Sequence, residues 1–140
     1  MNLSTRNRIP GTVSGVATGG VMAVVTVRLG GGRELTAAVT RESVEELGLT
    51  EGSAVQALVK ATEVALATGS VDGLSIRNRL PGTVTAVSPG AVMTSVKVAV
   101  EGITLTAVVT GDAVADLGIA VGSPVTALIK STEVSLASVR

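Results

Sequence analysis

Residues 4–13 read Ser-Thr-Arg-Asn-Arg-Ile-Pro-Gly-Thr-Val, and residues 75–84 read Ser-Ile-Arg-Asn-Arg-Leu-Pro-Gly-Thr-Val. Two further segments recur with few changes: residues 35–40 at 105–110, and residues 57–64 at 127–134. Self-similarity at a nearly constant spacing indicates a duplicated structural unit. The 140-residue chain is therefore predicted to contain a first domain at 1–68, a small polar linker at 69–73 and a second domain at 74–140.

Glycine and proline divide each repeat into short stretches rich in valine, threonine and alanine. In the first repeat, residue alternation and turn signals predict strands at 12–16, 21–29, 34–39 and 55–60, with an edge segment at 63–67. A short helix is predicted at 41–47, with Thr40 as its N-cap and Gly48 as its C-cap. The expected fold class is all-β with one short helix per repeat, as two tandem five-stranded barrels of the oligonucleotide/oligosaccharide-binding (OB) type.

The composition excludes several classes of function. The sequence contains no cysteine and no histidine, which removes disulfides, zinc-cysteine sites and the commonest general base. No general acid or base is placed beside Lys60 or Thr40, so we expect no catalysis.

The amino terminus has no apolar run long enough for a signal peptide, and no stretch is long enough to cross a bilayer, so we expect a cytoplasmic protein with no membrane partner.

A nucleic-acid-binding module is the main rival interpretation for barrels of this type. Binding of single strands needs aromatic stacking platforms and a basic groove. The sequence has no Phe, Tyr or Trp, and its 11 basic residues equal its 11 acidic residues in number. A nucleic-acid partner is therefore not expected.

Three groups of hydrogen-bond donors could hold an oxyanion. Ser4 and Arg6 are two apart, so on an extended segment their side chains project to the same face. Thr40 and Ser43 stand at the N-cap and third position of the predicted helix, where backbone N–H groups are unpaired and the helix dipole is positive. Lys60 closes a strand, and the backbone N–H of the next residue could point into the same pocket.

Each of these features also has an ordinary structural explanation. A threonine before a helix is usually only a cap, and a lysine at a strand end usually keeps the sheet edge solvated. Glu42 and Glu45, near the start of the helix, would repel an anion that faced them. The donors by themselves therefore permit an anion site without requiring one.

Taken together, the motifs resemble the Mop domain of the molbindins. The pattern is Ser-x-Arg-Asn, then Pro-Gly-Thr-Val, then Val-Thr-x-x-x-Val-x-x-Leu-Gly, then Leu-Val-Lys-Ala-Thr-Glu-Val, and in closely similar form it covers nearly the whole chain twice. The same domain resembles the carboxy-terminal part of molybdate-responsive transcription regulators and of some molybdate transporter ATPases. A chain of two such units is similar to the stand-alone molbindins, which store or buffer molybdate in the cytoplasm.

The resemblance implies binding of molybdate or tungstate as an intact oxyanion, for storage or homeostasis, with no other cofactor and no metal-cation ligands. A molybdate-sensing adaptor that signals to a partner stays open as an alternative. The oxyanion would lie between units, in a ring of six units formed by a homotrimer. Carried onto this sequence, the binding residues are Ser4, Arg6, Thr40, Ser43, Lys60 and Ala61 in one set, and Ser75, Arg77, Thr110, Lys130 and Ser131 in the other.

One position departs from the family pattern, because Ala113 stands where the first repeat has Ser43. Loss of one ordinary hydrogen bond predicts binding weaker by about 1 kcal/mol at sites that use Ala113. A site made only of donors also favours molybdate over hydrogen phosphate, whose proton would need an acceptor. Sulfate, like molybdate, offers only acceptors, so only the size of the pocket could exclude it.

Overall fold

The computed structural model describes residues 3–139, and each repeat within them folds into short strands around one helix. The first repeat contains β1 (Asn7–Thr18), β2 (Met22–Leu29), β3 (Glu34–Thr40), α1 (Arg41–Leu47), β4 (Ala54–Val59), a 3-10 turn (Ala61–Glu63) and β5 (Ala65–Ala67). The second contains β6 (Asn78–Pro89), β7 (Met93–Val100), β8 (Ile103–Thr110), α2 (Gly111–Leu117), β9 (Pro124–Ile129), a 3-10 turn (Ser131–Glu133) and β10 (Ser135–Ser138). Among residues 3–139, no helix has the length and hydropathy needed to cross a membrane.

The strands form two five-stranded antiparallel sheets, with the orders β10-β4-β1-β2-β3 and β5-β9-β6-β7-β8. The two edge strands of the first sheet, β10 and β3, contact each other, as do the edge strands β5 and β8 of the second, so each sheet curls back on itself. The predicted fold class, with two five-stranded barrels and one short helix per repeat, is confirmed. Bringing the edge strands together covers part of the edges that a sheet of short strands would otherwise present.

The compact units of the structure do not coincide with the sequence repeats. The first unit joins the described residues up to Val59 with those from Lys130 onward, and the second is Lys60–Ile129. Strand β10 pairs with β4, Ser135 lying opposite Leu58, and β5 pairs with β9, Ala65 lying opposite Leu128. The boundaries at 68 and 74 therefore remain a prediction about the sequence repeats, since both sheets take strands from both repeats.

The core of each unit is filled by aliphatic side chains on alternating strand positions. In β2, Ala23, Val25, Val27 and Leu29 are buried while the residues between them are more exposed. Strand β1 was predicted to begin only at Thr12, after a bend at Pro-Gly, and this start is wrong. The antiparallel pairing of β1 with β4 runs from Asn7 to Thr12, straight through Pro10 and Gly11, because tertiary pairing overrides the local turn preference.

Gly11 shows why the Pro-Gly-Thr-Val motif has a glycine in both copies. A Cβ atom at this position would lie 2.5 Å from Val27 Cγ1 and 2.8 Å from the carbonyl oxygen of Arg28. Strand β1 thus passes too close to β2 for any side chain. At Gly82, the matching position, a Cβ would also collide with backbone, at the carbonyl oxygen of Ala99.

The caps of α1 lie where the sequence predicts them, and α2 has matching caps. Thr40 is the N-cap of α1, and Gly48 closes the helix in the left-handed conformation with φ of 63°. Thr110 and Gly118 cap α2 in the same way. The caps place each helix directly after the third strand of its repeat, so the threonine hydroxyl stands at the junction of strand and helix.

Candidate functional site

The junction of β3 and α1 carries two of the predicted donors within contact distance. Thr40 Oγ1 accepts a hydrogen bond from the backbone N–H of Ser43 at 3.1 Å, and the two side-chain oxygens are 2.7 Å apart. Thr40 is exposed and Ser43 half-buried. The two hydroxyls therefore form one polar cluster that is open to solvent on the Thr40 side.

The second copy of this junction has the cap but not the hydroxyl pair. Thr110 Oγ1 accepts from the backbone N–H of Ala113 at 3.2 Å, and alanine has no oxygen to offer in return. The difference anticipated from the sequence at position 113 thus has a direct structural counterpart.

Fewer backbone donors are free at the helix start than the sequence suggested. The N–H of Arg41 donates to the carbonyl oxygen of Val21 at 2.8 Å, and the N–H of Ser43 donates to Thr40. In the second copy, the N–H of Gly111 donates to Val92 at 2.9 Å. The prediction of unpaired N–H groups is therefore wrong for these positions, because the turn before the neighbouring strand and the cap already satisfy them.

The acidic residues near α1 are partly neutralised. Arg41 Nε lies 2.9 Å from Glu45 Oε1, and Arg41 Nη1 donates to the carbonyl oxygen of Gly19 at 3.4 Å. The pair spans the space between the helix and the turn before β2, in a cleft of about 460 Å³. Glu45 thus faces a cation of its own helix, which reduces the repulsion expected from the sequence. Glu42 lines the same cleft, and both glutamates are exposed.

The corresponding cleft in the second unit is larger and more apolar. Gly111 and Ala115 replace the arginine and glutamate, and the cleft measures about 690 Å³. Its walls include Val92, Val114 and Ile119, together with Thr110. The two copies therefore present the same threonine cap in different electrostatic surroundings.

Ser4 and Arg6 lie outside the sheet. Residues 3–5 have no regular secondary structure, Arg6 is in a bend, and β1 begins at Asn7. No strand pleat therefore fixes the directions of the two side chains, and their projection to the same face stays a prediction. Both residues are exposed, as are their counterparts Ser75 and Arg77, so these donors are open to solvent in the chain alone.

Lys60 and Lys130 each lead into a 3-10 turn. Lys60 is exposed and accepts the N–H of Glu63 on its carbonyl oxygen at 2.9 Å. The next residue, Ala61, is buried, whereas its counterpart Ser131 is half-buried. The turn at Ser131–Glu133 packs on β3, and the turn at Ala61–Glu63 packs on β8.

The compact units divide the predicted donors differently from the sequence repeats. The first unit holds Ser4, Arg6, Thr40, Ser43, Lys130 and Ser131, and the second holds Lys60, Ala61, Ser75, Arg77 and Thr110. Each threonine cap therefore shares its unit with the lysine turn of the other repeat. Among residues 3–139, no group of three or more acidic side chains is arranged to hold a metal ion.

Sequence reasoning missed the role of Arg8 and Arg79. Arg8 Nε donates to the carbonyl oxygen of Thr5 at 3.3 Å, and its Nη2 donates to that of Leu3. Arg79 makes the same two bonds, to Ile76 at 3.0 Å and to Leu74. The only signal in the sequence is that an arginine follows Ser-x-Arg-Asn in both copies.

With this geometry in place, the relationship to known proteins is clear. The TOBE domain family matches the chain twice, over residues 3–66 and 74–136, and the chain belongs to this family. The predicted resemblance to tandem Mop domains is confirmed by these matches and by the relatives.

Three relatives illustrate how far the similarity extends. The molybdenum-pterin-binding protein MopA of Rhodobacter capsulatus is 42% identical over 139 residues, which are 98% of this chain and 52% of MopA. The molybdenum transport protein ModE of Azotobacter vinelandii is 40% identical over 138 residues, 98% of this chain and 51% of ModE. Molybdenum-pterin-binding protein 2 of Clostridium pasteurianum is 41% identical over 66 residues, 47% of this chain and 97% of that protein. The chain thus spans about half the length of MopA and ModE.

A solved structure matches over almost its full length. It is a crystal structure of the cytoplasmic molybdate-binding protein ModG with molybdate bound, and it is 45% identical to this chain. The match covers 98% of this chain and 99% of that one, with a TM-score of 0.95.

Proposed function

We propose that this protein binds molybdate as an intact oxyanion and does not transform it. The observation that carries the proposal is the near full-length match, at 45% identity, to ModG with molybdate bound. The residues proposed to bind the ion are those predicted from the sequence: Ser4, Arg6, Thr40, Ser43, Lys60, Ala61, Ser75, Arg77, Thr110, Lys130 and Ser131.

The chemistry of these groups supports the choice of ligand. Guanidinium, ammonium, hydroxyl and backbone N–H groups are donors, and a molybdate dianion offers only acceptors. Tungstate has the same charge and shape requirements, so we propose that it binds as well. Hydrogen phosphate would bring a proton for which only hydroxyl oxygens among these groups could act as acceptors, and a buried donor left unmatched costs about 1–3 kcal/mol.

The exposure of the donors supports a site that is completed by neighbouring chains. Arg6, Thr40 and Lys60 are all exposed in the single chain. Open to water, such groups gain little from an anion, whereas charge-assisted hydrogen bonds strengthen when water is excluded. We therefore propose sites between subunits, each enclosing the ion with donors from more than one chain.

Exposed apolar side chains beside the caps support the same assembly. Val21 is 76% exposed and Val92 is 72% exposed, and Met22 and Met93 next to them are also exposed. Met22 lies opposite Thr40 in the sheet, so this apolar surface borders the predicted donors. Contiguous exposed apolar surface is typical of an interface, and we propose that it packs in a homotrimer of six barrels.

The proposed role is storage and homeostasis of molybdate in the cytoplasm. A sensing role would use the same binding site and differs only in a partner that recognises the loaded form. Pull-down experiments with and without molybdate separate the two, because storage requires no partner that binds in a ligand-dependent way.

The decisive experiment combines titration calorimetry with native mass spectrometry. We expect molybdate and tungstate to bind to a species with three times the 13.8 kDa mass of the chain, and phosphate to bind far more weakly. Arg28→Ala serves as a control, since Arg28 is an exposed cation on β2 outside the proposed site. No binding of molybdate, or equal binding of all three anions, would contradict the proposal.

A further inference from the structure

Arg8 and Arg79 occupy the same position in the two repeats, and each donates two hydrogen bonds to the backbone just before its own strand. For Arg8 the acceptors are the carbonyl oxygens of Leu3 and Thr5, with Nε 3.3 Å from the latter. For Arg79 they are those of Leu74 and Ile76, with Nε 3.0 Å from the latter. The arrangement is therefore built twice from the same atoms.

The acceptors lie on either side of a predicted donor. The Leu3 carbonyl belongs to the peptide plane that precedes Ser4, and the Thr5 carbonyl belongs to the plane that precedes Arg6. Fixing these two planes limits the directions in which the Ser4 and Arg6 side chains can leave the backbone. Position 3 and its counterpart 74 are both leucine, whereas position 5 is threonine and position 76 is isoleucine. The contact does not depend on these side chains, because it uses backbone oxygens.

These segments lack other regular support. Residues 3–5 and 74–76 lie outside helix and strand, so no ladder of backbone hydrogen bonds holds them. A segment that must be ordered when the ion arrives loses conformational entropy at that moment, and the loss weakens binding. An arginine that orders the segment beforehand removes this loss.

We propose that Arg8 and Arg79 are positioning residues that hold the Ser4–Arg6 and Ser75–Arg77 segments in the conformation that receives the oxyanion. The inference rests on the proposed function, since it assigns these arginines to the same sites. Arginine is suited to the task because its rigid planar fork presents two N–H groups to two acceptors, whereas lysine presents a single point of charge. The acceptors are neutral, so the guanidinium charge also adds to the positive potential around the site.

The test compares two double variants with the unmodified protein. Arg8→Ala with Arg79→Ala removes both the contact and the charge, and Arg8→Lys with Arg79→Lys keeps only the charge. Molybdate affinity is measured by calorimetry, and the backbone order of residues 3–6 and 74–77 by NMR relaxation of the full-length protein without ligand. Arg28→Ala with Lys97→Ala is the matched control, because it also removes two positive charges, from exposed positions on β2 and β7.

We expect the alanine pair to weaken molybdate binding by about tenfold or more and to lower the backbone order of both segments. The lysine pair is expected to leave the segments disordered and to recover only part of the affinity, and the control to stay within about twofold of the unmodified protein. Thermal melting should change little, because the segments lie outside both barrels.

Four outcomes would overturn this role. Full affinity in the lysine pair would mean that only charge matters. Lost affinity with undiminished backbone order in the alanine pair would mean that the arginines touch the ion themselves. Unchanged affinity in the alanine pair would remove the role while leaving the proposed function standing, whereas no binding by the unmodified protein would overturn both.

Discussion

The side-chain oxygens of Thr40 and Ser43 lie 2.7 Å apart at the start of α1, and Thr110 has no such neighbour because position 113 is alanine. One hydroxyl of the pair must donate to the other. Thr40 Oγ1 already accepts the N–H of Ser43, so the pair forms a small directed network. The two classes of proposed site therefore differ by one orientable donor.

This asymmetry predicts the effect of exchanging the two residues. Ala113→Ser should strengthen molybdate binding at the weaker class of site by about 1 kcal/mol, and Ser43→Ala should weaken the other class by a similar amount. Titration calorimetry resolves the two classes if their affinities differ. Ser88→Ala, which removes an exposed hydroxyl at the end of β6, is the control, and equal effects of all three variants would contradict the assignment.

Replacing the cap residue separates its structural role from its binding role. Aspartate is as good an N-cap as threonine, so Thr40→Asp should preserve the stability of the first unit, whereas Thr40→Ala should lower it by about 0.5–2 kcal/mol. Both variants should lose molybdate affinity, aspartate more strongly because its charge repels the dianion. Urea denaturation and calorimetry on the same samples provide the two readings, and tight binding by Thr40→Asp would exclude Thr40 from the site.

The pairing of β10 with β4 and of β5 with β9 predicts which strand a destabilising substitution near each short strand should affect. Val134 is 2% exposed and belongs to the unit that contains β4, whereas Val64 is 1% exposed and belongs to the unit that contains β9. Val134→Ala should therefore speed hydrogen exchange in β4, and Val64→Ala should speed it in β9, each at a cost of about 1–3 kcal/mol. Faster exchange confined to β9 in Val134→Ala would show that the strands are paired within their own repeats.

The close approach of β1 and β2 predicts a large effect for a small substitution. Gly11→Ala places a Cβ 2.8 Å from the Arg28 carbonyl oxygen, which is backbone and cannot rotate away, so stability should fall by about 1–3 kcal/mol. Gly15→Ala, on the same strand, would meet nothing within 4 Å and serves as the control. Chemical denaturation compares the two, and equal stability would mean that the strands can move apart without cost.

Local features were predicted well from the sequence. The helix at 41–47 and its caps, Thr40 and Gly48, are found where expected, because capping depends on side chains within one turn of the helix end. The start of β1 was missed because its first residues are ordered by pairing with β4, which is distant in the chain. The role of Arg8 was missed because its side chain donates to backbone carbonyl oxygens, which every residue has. The contact therefore places no requirement on the residue types at positions 3 and 5.

The duplication, the strand and helix pattern, the likeness to tandem Mop domains and the set of available donors all follow from the order of residues alone, since each depends on repeated motifs or local periodicity. Only the tertiary structure decided which sheet receives residues 65–67 and which receives 135–138. The strands with which these segments pair end in nearly the same sequence, Ala-Leu-Val-Lys in one repeat and Ala-Leu-Ile-Lys in the other. Either segment could therefore pair with either strand. With two equivalent partners available, local sequence does not distinguish between them. The observed pairing sets which lysine shares a unit with Thr40 and which with Thr110.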